Sequence, residues 1–155
     1  MTTEVTASPL NDDFTSAIHN KTAEANAFLS LSGNETPEVV VGKIRDAVDR
    51  LLSENHDPEN LREYALQLGC LWGMMVARHY QWQWQYLDFG DDVQGIYLVS
   101  PQALYCCPPL YFLDRILSGG NTELDGKNDN TVMLLFNMLD GIENQAPPQK
   151  YQVVA

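Results

Sequence analysis

The chain has 155 residues, of which 45% are hydrophobic and 19% charged. This length is typical of one domain and lets a chain bury roughly two-thirds of its unfolded surface. Acidic side chains outnumber basic ones by 21 to 9, which gives a net charge of −12. Because nucleic acids and anionic membranes are bound through clustered Lys and Arg, the charge balance argues against both as partners. It suits a basic protein partner, and the alternative is that the net charge serves only to keep the chain soluble.

The first 11 residues are small and polar, and we expect them to form a disordered tail. Asp12 and Asp13 then predict the cap of a first helix. Two further helix starts share one pattern with each other: a capping residue, a proline at the first position and an acid in the first turn. They are Thr36-Pro37-Glu38 and Asp57-Pro58-Glu59. The sequence therefore predicts three helices before residue 81.

The third of these helices has the clearest pattern in the chain and should run to about Tyr80. Its apolar residues follow the helical period. A second line of small residues, Gly69, Gly73 and Ala77, is spaced by four. Such a line lets another backbone approach closely, so we predict a buried central helix that is contacted on two sides.

Alternation of apolar and polar residues then replaces the helical period and predicts two strands, 81–88 and 94–100, with a short extended segment at 104–107. Trp82, Trp84 and Tyr86 would share one strand face. We expect this face to pack on the third helix, because large aromatic rings are commonly used as core.

Two more helices and a tail complete the predicted order. Pro108-Pro109 begins a helix that should end at Gly119-Gly120, and Thr131 caps a last helix. Residues 143–155 are rich in Pro and Gln, so we expect a loose tail. The predicted fold class is α+β, mostly helical, with a β-hairpin or three-stranded sheet on a long central helix and one globular domain at 12–142.

Three cysteines, Cys70, Cys106 and Cys107, bear on the compartment. Adjacent cysteines rarely pair, and an odd count does not suit a disulfide framework, so we expect a reducing environment. The first residues lack the basic and apolar regions of a signal peptide. The longest apolar helical stretch, 65–77, is too short to span a bilayer. The sequence therefore predicts a soluble, cytoplasmic protein that is a monomer or homodimer.

No catalytic or metal-binding motif is complete. Asp88-Phe89-Gly90 matches the kinase metal-binding triplet but has no accompanying kinase motif. The loop from Asp125 resembles a calcium loop, yet Lys127 takes a ligand position. We therefore predict no enzyme activity, no metal and no cofactor. A nucleophilic Cys106 or Cys107 would need His79 as its base, and buried structural thiols are the favoured interpretation.

Acidic residues are the candidate contacts to a partner. We expect the hairpin turn to present Asp88, Asp91 and Asp92 as a solvated tip. No Lys or Arg lies nearby in sequence to neutralise these carboxylates. Carboxylates there would steer a basic partner, and Trp84 could contribute an aromatic contact. The remaining candidate residues are the acids of the polar loop before the last helix: Glu123, Asp125 and Asp129.

The Trp-rich hairpin, together with the segment from Val99-Ser100-Pro101 to Pro108, resembles small acidic bacterial domains of the toxin-immunity type. The resemblance covers roughly residues 60–140 and has no diagnostic motif. It implies a protein that binds a toxin domain in the cytoplasm and blocks its active site. The alternatives are a chaperone or adaptor for a secreted effector, which would use a more apolar groove, and the cysteine-dependent enzyme.

Overall fold

The computed structural model describes residues 4–118 and 130–155. Within these residues the chain forms five α-helices and one five-stranded sheet, which confirms the α+β class. The helices are α1 (Asp12–Phe28), α2 (Pro37–Ser53), α3 (Pro58–Tyr80), α4 (Pro109–Leu117) and α5 (Val132–Met138). The strands are β1 (Thr6–Pro9), β2 (Gln83–Gly90), β3 (Val93–Val99), β4 (Tyr105–Cys107) and β5 (Gln152–Val153).

The strands lie side by side in their sequence order, and only the last pair, β4 with β5, is parallel. The β2–β3 hairpin sets the register, with Trp84 opposite Leu98 and Tyr86 opposite Ile96. Successive residues of a strand face opposite sides of a sheet. One side therefore faces the helices through residues such as Leu98, whereas the other side has its own small buried cluster around Leu87.

Helix α3 is central, as predicted, and contacts α1, α2 and α4. Its small-residue line has the predicted role. A Cβ on Gly69 would lie 3.0 Å from the carbonyl oxygen of Pro109, and one on Gly73 would overlap the indole of Trp84. Gly69 therefore lets the backbone at the start of α4 lie on α3, and Gly73 leaves room for the Trp84 ring from the first strand of the hairpin.

Two hydrogen bonds join α5 to α3. The Trp72 Nε1–H donates to the carbonyl of Val132 over 3.0 Å, and the Tyr80 hydroxyl donates to the carbonyl of Phe136 over 2.8 Å. Trp72 is fully buried, so its indole nitrogen would otherwise lack a partner. These bonds fix the last helix on the central one.

Both chain ends differ from the expected loose tails. Thr6–Pro9 pairs with β2, and Gln152–Val153 pairs with β4. The backbone N–H of Tyr151 donates to the carbonyl of Ala103, which extends the contact beyond β5. The segments are too short and polar to signal a strand, and their extended form is set by unpaired backbone groups on neighbouring strands.

The cap of α1 also differs from the prediction. Asn11, and not Asp12 or Asp13, is the N-cap residue, and its side-chain oxygen accepts from the backbone N–H of Phe14 over 2.8 Å. The two aspartates occupy the first turn instead. There they favour the helix through its dipole and remain exposed.

Candidate functional site

The β2–β3 turn presents two carboxylates to solvent. Gly90 pairs with Val93, so Asp91 and Asp92 are the two turn residues, and their φ angles are 52° and 65°. Positive φ at both positions is the requirement of a type I′ turn, which Asp tolerates better than most residues. Asp91 and Asp92 are exposed, as predicted for a solvated tip.

Asp88 does not belong to that solvated tip. It is half-buried, and its Oδ1 accepts from the backbone N–H of Gly90 over 2.8 Å. The strand register shifts at this point, between Asp88 and Gly90. The carboxylate therefore stabilises the irregular end of β2, and the expectation of three equivalent solvated acids is corrected to two.

An open groove of about 790 Å³ lies beside this turn. We call it the aromatic groove. Its lining comes from the hairpin, from α1 and α4, and from β5: Phe14, Tyr86, Val93, Gln94, Gly95, Ile96, Tyr97, Pro108, Leu110, Tyr111, Arg115, Val153 and Ala155. The groove thus brings together residues that are far apart in the sequence.

Exposed apolar side chains concentrate in the aromatic groove. Tyr111 is 58% exposed, Val93 53%, Val153 43% and Phe14 37%. Scattered single apolar residues are normal on a surface, but several along one concave strip are typical of a binding site. Sequence reasoning missed this strip, because its members come from four separate elements.

Tyr86 lies in the groove and not on α3. Its ring stacks on Phe14 of α1, with the ring centroids 6.1 Å apart and the planes at 11°. The prediction for its two neighbours is confirmed, because Trp82 is buried in the core and the Trp84 ring packs on Gly73 of α3. The three aromatics therefore separate into a buried core residue, Trp82, a half-buried one packed on α3, Trp84, and one that lines the groove, Tyr86.

Trp84 is a candidate partner contact that the structure places away from the aromatic groove. It lines a smaller cavity of about 130 Å³ together with His19 and Met74, and its indole nitrogen has no hydrogen-bond partner in the described residues. The other candidates, Glu123, Asp125 and Asp129, lie outside the described residues. Of the predicted set within the described residues, only Asp91 and Asp92 therefore adjoin the groove.

Exposed aspartates are sequence neighbours of the groove lining at three points. Asp12 and Asp13 immediately precede Phe14, Asp91 and Asp92 immediately precede Val93, and Asp114 lies between Tyr111 and Arg115 on α4; all five are exposed. Among the described residues, Arg115 is the one basic side chain of the lining, and its guanidinium carbon lies 5.7 Å from the centre of the Tyr111 ring. Five exposed carboxylates therefore neighbour the lining in sequence, against one cation of the described lining, on α4.

The cysteines are buried, as predicted. Burial raises the pKa of the Cys70 and Cys106 thiols to about 12 and also raises the pKa of Cys107. His79 contacts other groups: its Nε2 lies 3.5 Å from Glu38, and its ring packs on Tyr80 and Phe136. These surroundings disfavour a thiolate, which is the reactive form of cysteine.

The described residues include no cluster of three or more His, Cys, Asp or Glu side chains arranged to hold a metal ion. In the same part of the chain, no helix combines the length and apolar character that a membrane crossing requires. Comparison with protein-family models, with curated proteins and with solved structures gives no match to the chain.

Proposed function

We propose that this protein is a non-enzymatic binding protein that holds a basic protein partner in the aromatic groove. The observation that carries the proposal is the concentration of four exposed apolar side chains in one groove beside exposed carboxylates. Apolar and aromatic groups at the centre of an interface supply affinity, while charges at its rim supply attraction at long range.

The charge of the rim selects the partner. Asp91 and Asp92 at one border and Asp12 and Asp13 at another would attract Lys and Arg side chains. These carboxylates act in the same direction as the net charge of −12, so we expect a partner with a basic surface.

More specifically, we propose that the partner is a bacterial toxin domain and that the protein acts as its immunity protein in the cytoplasm. The support for this step is the resemblance of the hairpin region to toxin-immunity domains and the acidic charge of the chain. A toxin that acts on nucleic acid is itself basic, and an acidic inhibitor is complementary to it.

The first test identifies the partner through the groove. A photo-crosslinking amino acid replaces Tyr111, which is 58% exposed in the groove, and in a matched variant replaces Leu134, which is equally exposed on α5. In cells that naturally express the chain, we expect one basic protein to cross-link at position 111 only. Equal cross-linking at both positions would contradict a specific groove.

The second test measures association with the captured partner. The double variant Asp91→Asn/Asp92→Gly keeps residues that favour a type I′ turn and removes two charges. We expect its association rate to fall by about tenfold or more at low salt and much less at high salt. The control Glu54→Gln/Glu59→Gln removes two exposed charges at the α2–α3 connection and should change the rate little. Equal rates for both variants would sink the steering mechanism.

The exposed apolar lining also supports a second candidate, a chaperone or adaptor for a secreted effector. A chaperone's partner should be unstable alone, whereas a toxin domain should fold alone and be active. Thermal unfolding of the captured partner, with and without this protein, separates the two functions.

A further inference from the structure

We propose that Arg115 binds a carboxylate of the partner inside the aromatic groove. The partner segment would then combine an apolar or aromatic side chain with an acidic one, although the partner as a whole is basic. This inference rests on the proposed function and adds the chemistry of the segment that enters the groove.

Arg115 is a half-buried cation in a strongly acidic chain. It forms no ion pair within the described residues, and it does not pair with Asp114 beside it. Its Nε is shielded from solvent and has no acceptor there. Arg45 and Arg50 pair with carboxylates and the other two arginines are exposed, so Arg115 alone among the five has a solvent-shielded nitrogen without a partner in the described residues. Arg115 is therefore a donor group without an acceptor in the described part of the molecule.

The groove would strengthen a bond to Arg115. The guanidinium lies over the Tyr111 ring, which restricts its orientation. A guanidinium presents its N–H groups in a planar fork that matches the two oxygens of a carboxylate. The apolar side chains of Leu110 and Val153 line the same groove, and they would reduce competition from water once a partner covers it. A carboxylate is the acceptor that fits this donor best.

The occupant is a different protein and not a second copy of this chain. Each copy has a net charge of −12, and exposed aspartates lie beside the groove. Docking another copy would bring these charges together, which opposes association. A basic protein that presents one acidic residue on an apolar segment would interact with the exposed aspartates through its basic residues and with Arg115 through the acidic one.

Phage display of short random peptides on the immobilised full chain tests the proposal. Clones that bind through the groove are recognised by their loss of binding to Tyr111→Ser. We expect these clones to carry Asp or Glu next to an aromatic or apolar residue. We also expect Arg115→Met to weaken them by about tenfold or more, in line with the loss of a hydrogen-bonded charge pair. Arg62→Met, an exposed arginine of α3 outside the groove lining, should leave binding unchanged.

A cycle of variants separates charge pairing from damage to the groove. In a selected peptide, Glu→Gln or Asp→Asn should weaken binding to the native chain and have no further effect on Arg115→Met. If Arg115→Met proves unfolded in a thermal melt, Arg115→Lys keeps the charge without the fork and should give an intermediate loss. Additive effects of the peptide and protein changes would overturn the proposal.

The remaining outcomes distinguish this inference from the proposed function. Groove-dependent clones that lack acidic residues, or that bind Arg115→Met as well as the native chain, would overturn the inference alone. If every selected clone still bound the Tyr111→Ser variant, the proposed function and the inference would be overturned together. A dimer in sedimentation that dissociates on Tyr111→Ser would show that a second copy occupies the groove and would overturn the inference.

Discussion

At the scale of single residues, Glu35 shows how the backbone can hold a surface carboxylate in its charged form. Its side chain accepts hydrogen bonds from the backbone N–H of Ser32 at 3.0 Å, from the Ser32 hydroxyl at 3.1 Å and from the backbone N–H of Gly33 at 3.0 Å. These bonds, the Ser32 backbone bond first, lower its pKa from 4.5 to about 2. The charged form thus stabilises the connection between α1 and α2.

We predict that the Glu35 carboxyl titrates with a pKa of about 2 in the native protein. Because the native pKa lies below the unfolded one, this stabilisation is fully present above about pH 4.5 and is lost as the pH falls towards about 2. Carboxyl carbon shifts in an NMR titration measure the pKa. Glu35→Gln should remove this part of the acid sensitivity, and Ser32→Ala should raise the pKa. A titration midpoint near 4.5 would show that these bonds do not persist in solution.

The cysteines give a second prediction at the residue scale. Since burial raises the pKa of Cys106 and Cys70 to about 12, neither should be a thiolate near pH 8. We expect a thiol-specific disulfide reagent to react with the native protein only as fast as the protein unfolds, and rapidly in denaturant. Fast reaction of Cys106 or Cys107 in the native state would instead favour the cysteine-dependent enzyme.

At the scale of elements, two helical glycines allow a matched comparison. An added Cβ at Gly73 would lie 2.5 Å from Cζ2 of Trp84, whereas at Gly42 in α2 its nearest neighbour would be Cε of Met133, at 3.6 Å. Gly42→Ala should raise the free energy of unfolding by about 0.5–1 kcal/mol through helix propensity. Gly73→Ala should lower it by about 1–3 kcal/mol, because Trp84 must move.

Urea unfolding of both variants checks this prediction. The native chain serves as the reference, and an unchanged m-value shows that the stability itself has changed. If Gly73→Ala were as stable as Gly42→Ala, Trp84 would not pack on α3 as described. Near-ultraviolet circular dichroism of the tryptophans would then report their altered environment.

The helices and the hairpin could be predicted from sequence because their signals are local. The Pro37 and Pro58 helix starts and the alternation after Gln81 need no knowledge of the rest of the chain. Strands β1 and β5 could not be predicted, since their conformation comes from backbone pairing with distant strands. At the site, the exposed turn acids Asp91 and Asp92 were identified, because turn residues have a chemical signature.

The aromatic groove could not be predicted from the sequence, because segments that are distant in the chain form it together. Phe14 lies on a helix whose apolar pattern gives no indication that its ring remains uncovered. Val153 lies in a segment that was expected to be loose. One signal was available: Tyr111 falls between Leu110 and Phe112 on α4, and adjacent helical residues cannot all face the core. Only the packing of α1, α4 and β5 around the hairpin brings these residues together.

At the scale of the whole molecule, the net charge of −12 opposes the compact state and also attracts a basic partner. Among the described residues, ion pairs such as the one between Lys21 and Glu63 stabilise the compact state, and they lie at the surface. Exposed pairs contribute only about 0–1 kcal/mol each. With 21 acidic side chains against 9 basic ones, we expect net repulsion to exceed these pairs.

We therefore predict that salt stabilises this fold while it slows partner binding. Raising NaCl from about 0.01 M to about 1 M shortens the screening length from about 30 Å to about 3 Å. The urea midpoint at neutral pH should then rise. At a pH near the sequence pI of 4.4 the net charge is close to zero, so this salt effect should largely disappear.

A midpoint that falls with salt at neutral pH would mean that local pairs such as Lys21–Glu63 outweigh the overall repulsion. In that case the acidic surface would cost the fold little, and its excess of charge would need no explanation by a partner.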